Sequence, residues 1–309
     1  MADIVGIGAN VCDTLFEVPN YPKEDTKLKA SNIKICGGGP CATGLVGATK
    51  LGASSAFIGN LTDDNNGLFL KSDFEKYGVS TKYINVLSGY ETFSSCIWLS
   101  KDTASRTCVF YRGNVPSTII DDEKAKAIAD AKVLMVDGND MEAAIEGAKI
   151  AKKNKTKVLY DAGGLYEGVE NLLPYADILI PSEEFALGHT GEKDAKDAAK
   201  ALFEKYNPEI VVVTQGKKGG ILYDGKEIKS YPAFLVDAVD SNGSGDVFHG
   251  AFAFCVTKGY NYYKSCVFSS AVSAIKCTRL GAREGVPSYN ETIEFLKERG
   301  INEFEENLD

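Results

Sequence analysis

The sequence is poor in histidine, with only His189 and His249, and it carries a single tryptophan. None of its eight cysteines (Cys12, Cys36, Cys41, Cys96, Cys108, Cys255, Cys266 and Cys277) belongs to a C-x-x-C pair. Together these two shortages argue against a zinc cluster. Basic residues are also outnumbered, 34 Lys and Arg against 43 Asp and Glu, for a formal net charge of −9. Such a balance weighs against nucleic acid or an anionic membrane as partner, since phosphate backbones reward basic surfaces. An anionic small molecule is still compatible, because a local Arg or Lys cluster can sit on an acidic body. No stretch approaches the roughly 18 apolar residues of a membrane span. The opening MADIVGIGANVCD lacks the basic start and apolar run of a signal peptide. Reduced thiols in a cytoplasmic setting are therefore expected. No GxxxxGK[ST] occurs, so a Walker-type phosphate loop is excluded. Internal repeats, low-complexity tracts and Pro/Ser-rich linkers are missing too.

What is present, over 309 residues, is alternation. Asp3–Gly8 is a short apolar run ending in glycine and reads as a buried strand. Residues 26–36 alternate loosely and predict an exposed strand pair. Gly38–Gly52 has helical spacing and is followed by the strand-like SSAFIGN; a further helix is predicted over 64–77, with Leu68, Phe69, Phe74 and Tyr77 on one face. FSSCIWLS (93–100) and TCVFY (107–111) are β-rich, with KDTASR as the turn between them. Beyond these, the apolar runs VLMV, VLY, ILI and IVVV alternate with helical stretches. That pattern implies a parallel sheet covered on both faces. Two strands split by a YDGK turn follow, and from Gly245 the chain reads as helical. One α/β domain over 1–309 with a small β insertion, drawn from segments 12–36 and 93–112, fits better than two domains.

Four segments place glycines or a turn beside polar groups. GIGANV (6–11) begins like a dinucleotide fingerprint, but Val11 replaces the third glycine, so a strand-to-loop turn carrying Asp13 is the better reading. CGGGPCATG (36–44) would let backbone approach a ligand ahead of a helix, or serve only as a turn. In TQGKKGG (214–220), Thr214, Gly216 and Gly219 would present a hydroxyl and amides to phosphate; a simple β-turn explains the segment equally well. DSNGSGDVFHGAF (240–252) is sharper. Small residues run into Asp246 at the head of an amphipathic helix, which aims unpaired amides at one point and sets a carboxylate beside them. An anion cradle with an adjacent base is what phosphoryl transfer needs. The plain alternative makes Asp246 a helix cap.

Asp240–Gly250 resembles the C-terminal signature of the ribokinase (PfkB-type carbohydrate kinase) family, D-T-x-G-A-G-D-x-F-x-G. Residues 37–78 resemble that family's GG-containing signature with its G-x-x-G-D-D-x-x-G continuation, altered here to Gly59-Asn60-Leu61-Thr62 before Asp63 and Asp64. KCTRLGAREGVPS (276–288) is similar to its last loop. Nearly the whole chain is covered, and the GGGP and KCTRLG variants are closest to ketohexose- and sulfosugar-type kinases. The resemblance implies a mostly parallel ribokinase-like sheet flanked by helices, with a β lid over a sugar site and dimerisation through that lid. It implies Asp246 as the base that accepts a substrate hydroxyl proton, and an anion hole from Gly243, Ser244, Gly245 and Asp246. Thr214 and Gly216 match nucleotide phosphate contacts. Asp13, Gly38 and Gly39 match the sugar site. Glu183 and Glu184 are candidate magnesium carboxylates, and Asp240 and Asn242, with the loop near Gly281–Gly285, correspond to a monovalent-cation (K+) site.

Three departures from the family pattern involve four positions. Ala42 stands where a sugar-binding asparagine is usual. Ser182 and Phe185 replace the ends of the N-x-x-E motif that helps hold magnesium. Ser241 replaces threonine, a mild change. The reading is an ATP- and magnesium-dependent kinase acting on a hydroxymethyl group of a sugar, a ketose or related carbohydrate. A nucleoside kinase on the same fold and a catalytically silent sugar-binding relative are the alternatives. With Ala42 unable to hydrogen-bond, Arg106 and Arg112 flanking TCVFY become candidates to grip an anionic substrate group, Arg112 the stronger of the two.

Overall fold

The computed structural model describes residues 1–103 and 105–304. Strands β1 (Ile4–Ile7), β2 (Val11–Val18) and β3 (Asn32–Gly38) lead into α1 (Pro40–Lys50), β4 (Ser55–Thr62), α2 (Asn65–Tyr77) and β5 (Ser80–Leu87). β6 (Ser94–Ser100) and β7 (Arg106–Tyr111) pair antiparallel, with Ala104 of the predicted turn outside the described residues. Then come α3 (Asp122–Ala129), β8 (Val133–Val136), α4 (Met141–Asn154), β9 (Lys157–Ala162), α5 (Val169–Leu172) and β10 (Ile178–Pro181). The rest is α6 (Glu183–Thr190), α7 (Ala195–Tyr206), β11 (Ile210–Thr214), β12 (Gly220–Tyr223), β13 (Ile228–Tyr231), α8 (Ser244–Thr257), α9 (Tyr262–Cys277) and α10 (Tyr289–Lys297).

Nine strands form one sheet in the order β13-β12-β11-β10-β9-β8-β1-β4-β5, parallel except where β12 and β13 join. Successive side chains on a strand face opposite ways, so each strand feeds two cores. Ile4, Met135, Ile178 and Val212 pack with α1, α8 and α9 on one side. Val5, Leu134, Leu179 and Val211 pack with α4, α6 and α7 on the other. Continuous apolar strands with helices on both faces thus match the sequence expectation. Strand order reverses about β1, and polar residues collect at the carboxyl ends of β1, β8, β9, β10 and β11, where open α/β sheets bind ligands.

A second sheet, β3-β2-β6-β7, stands apart from the first. Its outer pairings are antiparallel and its central one, β2 with β6, is parallel. Segments 12–36 and 93–112 therefore do come together. The expected strand pair within 26–36 does not exist: that region supplies β3 alone, and the partner is β2. Asp13 lies within β2 and not in a loop after β1. On α2, Leu70 and Phe74 are buried while Leu68 is 51% exposed, so the buried face is rotated from the one predicted.

Candidate active site

The signature segment begins with a fully buried carboxylate. Asp240 accepts the amide of Asn242 (2.8 Å) through Oδ1 and that of Gly281 (2.9 Å) through Oδ2, while its carbonyl accepts Lys276 Nζ (2.7 Å). Gly243 then adopts φ +75°, against Ala282, where a Cβ would collide. That left-handed residue turns the chain into α8. Val247 N–H closes the first turn onto the Gly243 carbonyl, and Ser244 N–H turns back to Ser241 O at 3.3 Å. Gly245 and Asp246 carry first-turn amides, which have no helical carbonyl behind them. A Cβ on Gly245 would meet nothing within 4 Å, so this glycine borders open space. Of the expected anion-hole amides, that of Ser244 is already engaged in the turn. α8 is held tightly against α1, because Gly250 approaches the backbone of Gly44 where no side chain would fit.

Asp246 is the acidic residue of the first turn of α8, whose N-cap is Gly243. Burial raises its carboxyl above the ordinary range, opposed by the charges of His249 and Arg106 and reinforced by those of Asp137 and Asp13. One turn along, His249 is buried, with Nδ1 2.7 Å from Gly245 O and 3.2 Å from Asp161 Oδ2, and Nε2 3.1 Å from Ile180 O. Burial lowers the imidazole's pKa, and the two carbonyls and Asp246 oppose that fall. Asp161, at the end of β9, is raised well above the carboxylate range by burial and then by Asp246 and Asp137. Asp137, just after β8, spends its oxygens on the amides of Ala9 (2.9 Å), Cys41 (3.0 Å) and Asn139 (2.9 Å). It fixes the start of α1 relative to the end of β1.

Across the cleft, Asp13 is 5% exposed and accepts Ser95 Oγ at 2.6 Å. Burial raises its pKa, while Ser95, Arg283 and Arg106 act to lower it. A Cβ on Gly38 would run into the Asp13 carboxylate, and one on Gly39 (φ +90°) into the Ala9 carbonyl. Both glycines are thus demanded by close approach, and Pro40 follows at the first helical position, where no amide is needed. Ala42 is fully buried and offers only a methyl group. Arg283, 2% exposed, binds Asp73 Oδ2 (2.6 Å), Asn10 Oδ1 (2.8 Å) and Gly38 O (2.6 Å), locking the late loop to the floor of the site. Asn10 Nδ2 is buried without a partner. Asn10, Asn60, Arg112 and Asn139 line a cleft of about 360 Å³, within the range of small-molecule sites. The Arg112 guanidinium lies 5.8 Å from the Phe93 ring and 5.2 Å from that of Tyr166. Arg106, the weaker candidate from sequence, falls on the Asp13 side of the second sheet and acts on both Asp13 and Asp246.

At the end of β11, Thr214 is half-buried, bridged to Ser182, with Oγ1 3.4 Å from Pro181 O. Gly216 is exposed at φ +56°. Gly219 does not match its expected role: its N–H is spent on Gly216 O and it is buried against Tyr231, so it makes the turn and presents nothing to a ligand. The charge of Lys217 acts on the Cys277 thiol, which Ser244 contacts, so this turn lies near the signature segment. Ser182 caps α6 by accepting Phe185 N–H at 3.0 Å, and Phe185 is in the core, unable to serve a metal. Glu183 accepts Gln215 Nε2 at 2.7 Å beside Thr214, whereas Glu184 points to solvent. Asn10, Asp137, Asp161, Arg283 and Lys276 were missed from sequence. The available signal was modest: Asn10, Asp137 and Asp161 are polar residues at or next to apolar strands, Lys276 lies inside a helix, and Arg283 stands in the loop between α9 and α10.

A model of the pfkB family carbohydrate kinases matches residues 1–288. The chain is 29% identical to a ribokinase of Haemophilus influenzae over 297 residues, covering 94% of this chain and 97% of that one. It is 27% identical to a 5-dehydro-2-deoxygluconokinase of Halalkalibacterium halodurans, covering 96% and 95%. Among solved structures, ribokinase from Thermotoga maritima superposes with TM-score 0.82 at 27% identity, over 96% of this chain and 100% of that chain. Arabidopsis thaliana ribokinase complexed with ribose and ATP superposes with TM-score 0.85 at 23% identity, over 96% and 99%.

Proposed function

The chain belongs to the pfkB family of carbohydrate kinases, and from that premise we propose that it transfers the γ-phosphate of ATP to a hydroxymethyl group of a ketose or related carbohydrate. The observation that carries this reading is Asp246: a half-buried carboxylate on the first turn of α8, beside free first-turn amides and within electrostatic reach of Asp13. In the proposed reaction the Asp246 carboxylate takes the proton from the substrate hydroxyl. The hydroxyl oxygen forms a bond to the γ-phosphorus as the bond to the β-phosphate oxygen breaks, and ADP leaves. The Gly245 and Asp246 amides stabilise charge on the transferring group.

Thr214 and Gly216 would meet the nucleotide phosphates; that the nucleotide is ATP is supported by the Arabidopsis ribokinase complexed with ribose and ATP. Magnesium binds proteins through one or two carboxylates plus substrate phosphates, and Glu183, beside Thr214, fits that modest demand. Bound there, the ion would neutralise phosphate charge. Asp13, Gly38 and Gly39 would hold sugar hydroxyls. The unpartnered Asn10 Nδ2 supplies a donor that Ala42 cannot. Arg112 would face an anionic group of the substrate, steadied by Phe93 and Tyr166. The second sheet would act as a lid over the sugar, and its outer face as the surface for a second copy.

A coupled assay of ADP release tests the reading, with magnesium and ATP against ketoses, aldoses, their acid derivatives and nucleosides. Turnover of a ketose or a sugar acid is expected. Turnover confined to nucleosides, or ATP consumption that no carbohydrate stimulates, would overturn it.

A further inference from the structure

Lys276 is one of the most unusual residues in the chain. It lies in the last turn of α9 and is 0% exposed, although a lysine is seldom fully buried unless paired. Its Nζ donates to the Asp240 carbonyl at 2.7 Å and stands 3.5 Å from Asp240 Oδ2. The same carboxylate holds the amides of Asn242 and Gly281. The ammonium is therefore lodged between the start of the signature segment and the loop Gly281–Gly285, the two stretches that the resemblance pairs around a monovalent cation.

The residues present do not suit such an ion. A potassium ion needs several oxygens turned to one point, and the Asp240 carbonyl is already taken by Nζ. A second positive charge beside the ammonium would be repelled. Nor is a buried side-chain oxygen waiting for one. Among the described residues, the buried side-chain oxygens without a partner belong to Thr43, Thr118, Tyr160, Tyr231 and Ser269, none of them in either stretch. We propose that Lys276 is the built-in monovalent cation of this enzyme, holding the turn that sets the anion hole, and that the protein needs no potassium. Burial lowers the pKa of the ammonium while Asp240 raises it. Lys276 would thus be a positioning residue, acting through Asp240 and Gly243 without touching substrate.

The test begins with the whole protein and needs no substrate, so its result stands apart from the reading of the reaction. Thermal unfolding is followed in choline, sodium and potassium chloride at one ionic strength. A cation that binds the folded state at roughly 100 times its Kd raises Tm by several degrees; here Tm is expected to be the same in all three salts. A saturable rise in potassium over both other salts would overturn the proposal. Where a substrate has been found, kcat should likewise be unchanged by potassium. In Lys276→Ala the vacated space beside Asp240 should make Tm, and kcat, respond to potassium or ammonium when choline gives none. A Lys276→Ala protein with the parent's Tm and kcat in choline would also overturn it. If that variant does not fold, the salt comparison on the parent protein decides alone.

Discussion

A carboxylate partly withdrawn from water near two others has one property that an exposed one lacks: its proton is held longer. Asp246 sits in that condition, raised by burial and by the charges of Asp137 and Asp13. Its basic form therefore accumulates only as pH climbs past the ordinary carboxylate range, and kcat should rise over the same window. Linkage gives the opposite sign for stability. The folded state binds this proton more tightly than the unfolded one, so the fold weakens as pH rises from the unfolded value through the raised one. Asp246→Asn should accordingly lose about 10²–10⁴-fold in kcat with a Tm no lower than the parent at neutral pH. Near-normal kcat at saturating substrate would remove Asp246 from the mechanism. Arg112→Ala tests a second residue. If its guanidinium meets an anionic group, KM should rise by an amount worth about 1.5–3 kcal/mol, the scale of a hydrogen bond to a charged partner, with the KM for ATP unmoved. Asp246 could be proposed from sequence because it follows the glycines of the signature turn, and Asp13 through the family resemblance. Asp137, Asp161 and Arg283 were not, because their meaning comes from partners such as Ala9, His249 and Asn10, far away in sequence.

Elements carry the next level of constraint. α8 can present Asp246 only if it lies close to α1, and the contact of Gly250 with the backbone of Gly44 makes that closeness possible. Gly250→Ala should force the helices apart. Overpacking of this kind costs about 1–3 kcal/mol, readable as a lower urea midpoint, and kcat should fall with it because Asp246 moves too. A variant with parent stability and parent kcat would show that the glycine contact is not what sets the helix. The alternation of apolar strands and amphipathic helices was readable from sequence because each strand is buried on both faces and each helix on one. The partner of β3 was not, since the loose alternation of residues 26–36 says nothing of which strand lies beside it.

For the whole molecule, the second sheet has two unlike faces. Cys36, Asp13, Ser95 and Phe110 form one cross-strand row on the side of the site. On the other side run the rows Ile35–Thr14–Cys96–Val109 and Ile33–Phe16–Trp98–Thr107. Ile33, Ile35 and Val109 there are between 57% and 60% exposed, an apolar surface that suits a second copy of the chain. Val109→Asp should then shift the mass measured by light scattering from dimer to monomer; a parent protein already monomeric at micromolar concentration would end the idea. That a small β unit existed was legible from sequence, but its two faces emerge only from the register.

The same register has a consequence in time. The seam between β2 and β6 joins Asp13 to Ser95 across 82 positions of chain. Two hairpin-like halves, β2 with β3 and β6 with β7, are separated in the chain by α1, β4, α2 and β5. Because a long loop must be closed before this pairing is rewarded, the second sheet completes late on the folding route. Until it does, the nascent protein shows bare edges on β2 and β6, the strands that carry Phe16 and Trp98. The interval of greatest exposure to aggregation is thus written into the place where one strand waits for another.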